Sequence, residues 1–259
     1  MFMRRGIVLF LLILLIPIEG AVAQPATSEG PLMAFAEAGA SVYYVVKRRA
    51  TVYTRPDSGR AYLQLGFREP VFVMATEGNW KHIRTQDGAQ GYVESAVLSN
   101  IWIRVSKRQK TLYLYRGTEL FFKVPADFGY NAYADKERRG STANPDHWRT
   151  PEGTFFVVRK NPYSKFYKAF VLNYPTAEDA DRGLKQGIIT REQHAAIVQA
   201  EATFSTPPMS TALGGMIEIH GDGTGSSSNW TQGCVAVHND HIDRLWQWVE
   251  VGTPVLVEK

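Results

Sequence analysis

From residue 41 onward, apolar and polar positions alternate over short runs, the period of half-buried β-strands. "VYYVVKRRATVYTRP" and "YLQLGFREPVFVMATEGNWKHIRTQDGAQGYVESAVL" are rich in β-branched and aromatic residues. Turns cut them at Pro56–Gly59, at Glu77-Gly78-Asn79 and at Asp87-Gly88. Strands this short, with turns this close together, predict a small all-β barrel over residues 41–98. A second, mainly β unit is expected over residues 101–259. It opens with "IWIRVSKRQKTLYLYRGTELFFKVPADFG", which alternates across two hairpins with Gly117 at a turn. Further strands are expected in "TPEGTFFVVRKN", "AFVLNYP", "GGMIEIHG" and the terminal "PVLVE".

The period changes over about residues 176–204, where a helical insertion is expected. Thr176 is placed to cap a helix, with Glu178 and Asp179 in the first turn where carboxylates favour the positive end of the dipole. Thr190-Arg191-Glu192-Gln193 fits a capping box ahead of a second helix. Pro207-Pro208 stops that helix. The insertion is expected to lie over a cleft as a lid. Asn239 or Asp240 is expected to cap a last helix that ends near Val249. Trp80 is expected to pack inside the barrel. Of Trp246 and Trp248, at least one should face the core.

The N-terminus departs from all of this. "MFMRRGIVLFLLILLIPIEGAVAQ" sets Arg4 and Arg5 before an apolar run from Ile7 to Ile18, followed by Ala21-Val22-Ala23. This is the layout of a secretory signal peptide over residues 1–23. The run is about 12 residues, where a membrane span needs ~20. No stable membrane span is expected after cleavage, and the protein is expected to be periplasmic or secreted. Residues 24–40 read as a linker, small, polar and unpatterned.

The net charge of +4 is spread over short runs such as Lys47-Arg48-Arg49, so no nucleic-acid partner is expected. The chain has one cysteine, Cys234, and no His-Glu-x-x-His or paired-cysteine spacing, so neither a metal nor a cofactor is expected. In an exported chain, a single thiol that cannot pair internally is a reactive group, an intermolecular link or a bystander.

The surrounding stretch favours reactivity. In "IHGDGTGSSSNWTQGCVAVHND", His220 ends a strand and a Gly/Ser-rich loop follows. Cys234 stands after the return, behind Gly233. A thiol becomes a good nucleophile when an imidazole or aligned amides draw off its proton. His220 is placed to take that proton, and the Gly221 carbonyl or Asp222 to orient the ring. The amides of Gly233 and Cys234 are placed to face a developing oxyanion. Trp230, Gln232, Thr231 and His238 stand close enough in sequence to contact substrate. Tyr133, Trp148 and Arg149, before the Thr150-Pro151 turn, are weaker candidates.

Two family resemblances follow from these residues. "ATVYTRP", "LQLG", "GNWKHI" and "GAQGYV" together resemble a bacterial SH3-like domain, which implies cell-wall or partner binding. "IHG…TQGCVAVHN" resembles the L,D-transpeptidase catalytic (YkuD-type) family, whose motif is His-Gly, a spacer, then Ser/Thr-x-Gly-Cys. "IWIRVSKRQKTLYLYRG" and "RTPEGTFFV" resemble its opening hairpin and its Thr-Pro-x-Gly segment. The implied fold is an SH3-like β-barrel followed by a β-sandwich-like catalytic domain with a helical insertion.

The implied chemistry is acyl transfer on peptidoglycan stem peptides. Cys234 is the nucleophile and His220 the base, while Gly221 orients the ring through its carbonyl. Gly233 and Cys234 form the oxyanion hole. The acceptor is an amine of another stem peptide or of a wall-linked lipoprotein. With water instead, the enzyme is an L,D-carboxypeptidase or amidase. A non-catalytic wall-binding protein is the alternative from another class. The sequence departs from many members in having Gln232 for His and Ala236 for Arg, which bears on donor and acceptor rather than on the Cys–His pair.

Overall fold

The computed structural model describes residues 41–259, so the expected signal peptide and linker lie outside the described residues. The first sheet holds β1 (Val42–Val45), β2 (Arg49–Tyr53), β3 (Ala61–Gly66), β4 (Pro70–Glu77), β5 (Trp80–Thr85), β6 (Gln90–Glu94) and β7 (Leu98–Ser99). Their order is β3-β2-β6-β5-β4-β1-β7, with antiparallel neighbours throughout. The inward residues are the β-branched and aliphatic ones that the alternation marks: Val45, Val52, Leu65, Val71, Ile83 and Val93. Trp80 is not among them. It starts β5 half-buried and meets the Tyr53 ring edge-on at 5.5 Å, because the turn at Gly78-Asn79 places it at the end of the hairpin.

The second unit is built on a mixed sheet. It contains β8 (Ile101–Ser106), β9 (Thr111–Arg116), β10 (Glu119–Pro125), β12 (Gly153–Ser164), β13 (Tyr167–Leu172), β14 (Glu218–His220), β16 (Val235–Ala236) and β17 (Pro254–Glu258). The order is β10-β9-β8-β17-β12-β13-β14-β16. A two-stranded parallel piece, β11 (Phe128–Gly129) with β15 (Asn229–Thr231), lies beside it in the chain's return to the site. In β8, Ile101, Ile103 and Val105 face inward while Trp102 and Arg104 alternate outward. In β13, Ala169 to Leu172 are all buried, because this strand is covered on both faces.

The helical insertion is α1 (Ala177–Lys185) and α2 (Arg191–Ala202). Both start in capping boxes: Thr176 with Asp179, and Thr190 with Gln193. Ala180, Ile189, Ile197 and Leu213 form a separate small core. The last helix, α3 (Asn239–Trp246), is preceded by His238 as N-cap, with no side-chain cap bond. Neither Asn239 nor Asp240 caps it. The Asn239 amide instead holds Asp222, accepting from its N–H at 2.7 Å and donating to its carboxylate at 3.0 Å. Trp246 stacks on Phe170 at the core edge, and Trp248 packs partly exposed against Phe121.

The two units touch through a small aromatic contact. Phe67 and Arg68, in the turn between β3 and β4, reach Phe204 and Phe156, with the Arg68 guanidinium 4.4 Å from the Phe156 ring centre. Tyr44 donates a hydrogen bond to the Ile101 carbonyl at 2.5 Å. Among the described residues, no helix is long and apolar enough to cross a membrane.

Candidate active site

The site is set by one parallel pairing. β14 lies beside β16 with Ile219 opposite Val235 and His220 opposite Ala236. This register places Cys234, one residue before β16, next to Glu218 and near His220. Ile219 points into the core, so the period of two sends Glu218 and His220 to the other face. That face lines a cleft of about 590 Å³, with Cys234, Trp230, Gln232, Lys136, Lys165 and Phe166 among its walls.

His220 is buried and held from three sides. Its Nδ1 donates to the Gly221 carbonyl at 2.7 Å, which fixes the tautomer and leaves Nε2 as the acceptor. Nε2 is buried and has no hydrogen-bond partner among the described residues. The Phe166 ring stacks on the imidazole at 4.4 Å, and Trp230 meets it edge-on at 6.1 Å. Burial lowers the His220 pKa, against the Gly221 bond and the Asp222 charge, so the ring is neutral above its ordinary range. Gly221 must be glycine, since a Cβ there would stand 2.5 Å from Asn239 Oδ1 and 3.0 Å from the Phe166 carbonyl. Asp222 is tied to Asn239 and does not orient the ring.

Cys234 is half-buried, and its Sγ points to the Met216 carbonyl at 3.5 Å. Burial pushes the thiol up to about 12; the Glu218 amide, Lys136 and Lys165 oppose this, and the Glu218 carboxylate adds to it. The resting pair is therefore a neutral thiol and a neutral imidazole, not a thiolate–imidazolium pair. Met216 itself stands in the left-handed region at φ 54°, an uncommon conformation for this residue type.

The turn before Cys234 is locked by Thr231. Its hydroxyl donates to the Cys234 carbonyl at 2.7 Å and accepts from the Gly233 amide at 3.2 Å. The Thr231 hydroxyl is thus engaged inside the turn while Thr231 still lines the cleft, and in this structure the Gly233 amide bonds Thr231. Gly233 serves the backbone, with φ 131° and no room for a Cβ, which would lie 2.6 Å from the Arg149 carbonyl. Trp230 and Gln232 are exposed on the cleft wall. His238 is not on it. As N-cap of α3, its ring faces Asp240 and His241, since the chain turns into a helix there. Trp148 lines the cleft, whereas Arg149 is bound to Asp146 and the Asp135 carbonyl, and Tyr133 is largely exposed. The helices α1 and α2 do not line it either. They anchor Leu213, and the following segment, through Gly214 to Met216, forms the wall.

Three contributors carry no local signature. Asp127 is fully buried, and its carboxylate accepts from the Thr224 and Ser228 amides at 2.6 and 2.7 Å and from Trp230 Nε1 at 2.8 Å. Burial alone would raise its pKa; these bonds win and hold it below the usual range. Asp127 thus pins both the Gly/Ser-rich loop and the Trp230 wall. Lys136 and Glu218 are the other two, buried and of opposite charge on the cleft. Asp127→Ala is expected to cost about 2–4 kcal/mol in denaturant unfolding, because it strands donors that a charged acceptor satisfied. Amide exchange at Thr224 and Ser228 should speed up with it, and unchanged exchange would separate Asp127 from the loop.

The family model of the L,D-transpeptidase catalytic domain (YkuD) matches residues 100–257. The chain belongs to this family. A bacterial SH3 domain model matches residues 46–100. A search of curated proteins finds no match. Among solved structures, the chain is similar to Bd1075 of Bdellovibrio bacteriovorus, at 24% identity and a TM-score of 0.38, over 62% of this chain and 48% of that one. It is also similar to an L,D-transpeptidase from Xylanimonas cellulosilytica, at 16% identity and a TM-score of 0.36, over 62% and 61% of the two chains. A third is an L,D-transpeptidase from Mycobacterium smegmatis, at 14% identity and a TM-score of 0.36, over 92% and 88%. This chain thus spans about half the length of Bd1075 and under two thirds of the Xylanimonas chain. In the L,D-transpeptidase domain defined by that match, the strands β14 and β16 carry the Cys234–His220 face.

Proposed function

We propose that the protein is an exported, cell-wall-associated L,D-transpeptidase that acts on peptidoglycan stem peptides through Cys234. In this reading residues 1–23 are the signal peptide and 24–40 a linker. Residues 41–98 are a wall- or partner-binding module, and 101–259 the catalytic domain. The observation that supports it most is His220 Nε2, which has no hydrogen-bond partner among the described residues and belongs to a side chain that lines the cleft with Cys234.

The chemistry follows from the two neutral groups. Sγ leaves the Met216 carbonyl and gives its proton to His220 Nε2 as it attacks the carbonyl carbon of an L-to-D linkage. The S–C bond forms and the carbonyl oxygen takes the electron pair, facing the Cys234 amide. The C–N bond then breaks, the departing amine takes the proton from Nε2, and a thioester remains. An acceptor amine loses a proton to Nε2 and attacks the thioester. The S–C bond breaks, and the thiol recovers the proton. A thiol held near 12 gains little from ionising alone, so proton removal and attack must go together.

Incubation of the full chain with defined muropeptides, followed by product mass analysis, tests the reading. Crosslinked dimers that vanish in Cys234→Ala are the expected products. Hydrolysed stems alone would assign the carboxypeptidase or amidase reaction, with water as acceptor. No Cys234-dependent product would leave the wall-binding alternative.

A further inference from the structure

The cleft holds a buried ammonium with no paired anion among the described residues. Lys136 is 3% exposed, yet its Nζ makes one hydrogen bond, to the His147 carbonyl at 3.2 Å, and no ion pair among the described residues. An ammonium has three N–H donors, and burying one without an anion is costly. The fold makes space for it: a Cβ on Gly214 would stand 3.1 Å from Lys136 Cε, and Gly214 lines the same wall. The other cations there are engaged or solvated. Arg139 donates to the Met209 and Thr211 carbonyls, and Lys165 is exposed with its ammonium over the Phe166 ring. The buried Glu218 carboxylate, beside Cys234, would repel an anion from its own end of the cleft.

We propose that Lys136 is the specificity residue that anchors a free carboxylate of the donor peptide beside the bond that Cys234 attacks. The proposal rests on the stem-peptide reading above and names the group that the cleft selects. Burial lowers the Lys136 pKa to about 8, and an incoming carboxylate would restore it. Two carboxylates of a stem peptide satisfy this chemistry: the terminal one of the departing residue, and one on the side chain of the residue that becomes the acyl group. In either case Lys136 acts in positioning, and the covalent step stays with Cys234 and His220.

The test compares three donors with the full-length protein: the free acid, its C-terminal amide, and the analogue amidated on the acyl residue's side chain. Wild type is expected to favour the free acid over one of the amides by about 10- to 100-fold in kcat/KM, most of it in KM. That amide identifies the anchored carboxylate. Lys136→Met should erase the preference, and Lys136→Arg should restore part of it. The wild-type comparison stands even if a variant folds poorly. Equal use of all three donors by wild type overturns the anchor while leaving the Cys234 reaction in place. So does an equal loss on all three donors in Lys136→Met. A wild type that turns over none of them overturns the stem-peptide reading, and the anchor with it.

Discussion

His220→Ala is expected to slow acylation of Cys234 by about 10²–10⁴-fold at neutral pH, the usual worth of a positioned base. The structure argues for the upper end. The thiol is held near 12, so without a base only about one molecule in 10⁵ carries a thiolate at pH 7. The pH dependence then separates the mechanism from a packing defect. In wild type, His220 must be neutral to accept a proton, and burial lowers its pKa from 6.5. The acid limb of the acylation rate should therefore have its midpoint below pH 6.5, with a plateau above it. In the variant that limb should be gone, and the rate should climb about tenfold per pH unit as the thiolate forms. A mass-spectrometric time course between pH 5 and 10 reads both. A variant that keeps the wild-type plateau would remove His220 from the proton transfer. Loss of the Phe166 stack at 4.4 Å also predicts a lower melting point, to be measured alongside.

Gly233→Ala is expected to be nearly as damaging, for a different reason. At φ 131° an L side chain is strained, and the new Cβ would stand 2.6 Å from the Arg149 carbonyl and 3.1 Å from Ile217 Cδ1. Backbone on one side and core on the other leave the turn no way to yield. The cost should be on the order of 3 kcal/mol. The displaced turn carries Cys234 with it, and a shift of about 1 Å costs ~10²-fold in rate. Gly187→Ala supplies the control. Gly187 has φ 68° but open space around it, so it should lose about 1 kcal/mol and keep full activity. Equal effects of the two substitutions on rate would show that positive φ, and not the turn beside Cys234, is what matters.

The parts of the site that were readable in the sequence are those built from one short stretch. His220-Gly221 and Gly233-Cys234 each pair a reactive side chain with a glycine, and the geometry explains both glycines by close backbone approach. The capping boxes at Thr176 and Thr190 were legible because three residues settle each. What sequence order misjudged is direction. His238 is four residues past the cysteine, but α3 begins there and turns it toward Asp240. The α1–α2 pair has the right place in the chain for a lid, yet its apolar face closes on Leu213 and only the segment after it reaches the cleft.

Asp127, Lys136 and Glu218 were not legible, because their roles depend on distant pairing. Asp127 stands about a hundred residues before the loop it pins, brought there by the bridge to Ala236 and the β11–β15 ladder. The same bridge holds Ala236 in place. It is fully buried, exchanging backbone hydrogen bonds with Asp127 at 2.8 and 3.0 Å. Lys136 in "YADKERR" has the look of a solvated charge run, and only the fold shows that it alone of that run is buried. Trp80 fails for a related reason: an aromatic in a barrel sequence signals packing, but not whether it packs inside or on the rim.

The central claim is that Cys234 is an acyl-carrying nucleophile. Intact-protein mass spectrometry after incubation with a carbapenem tests it most directly. The account predicts that the wild type gains the mass of one carbapenem molecule and that Cys234→Ala gains none. An unmodified wild type, or a Cys234→Ala variant modified to the same extent, would contradict it.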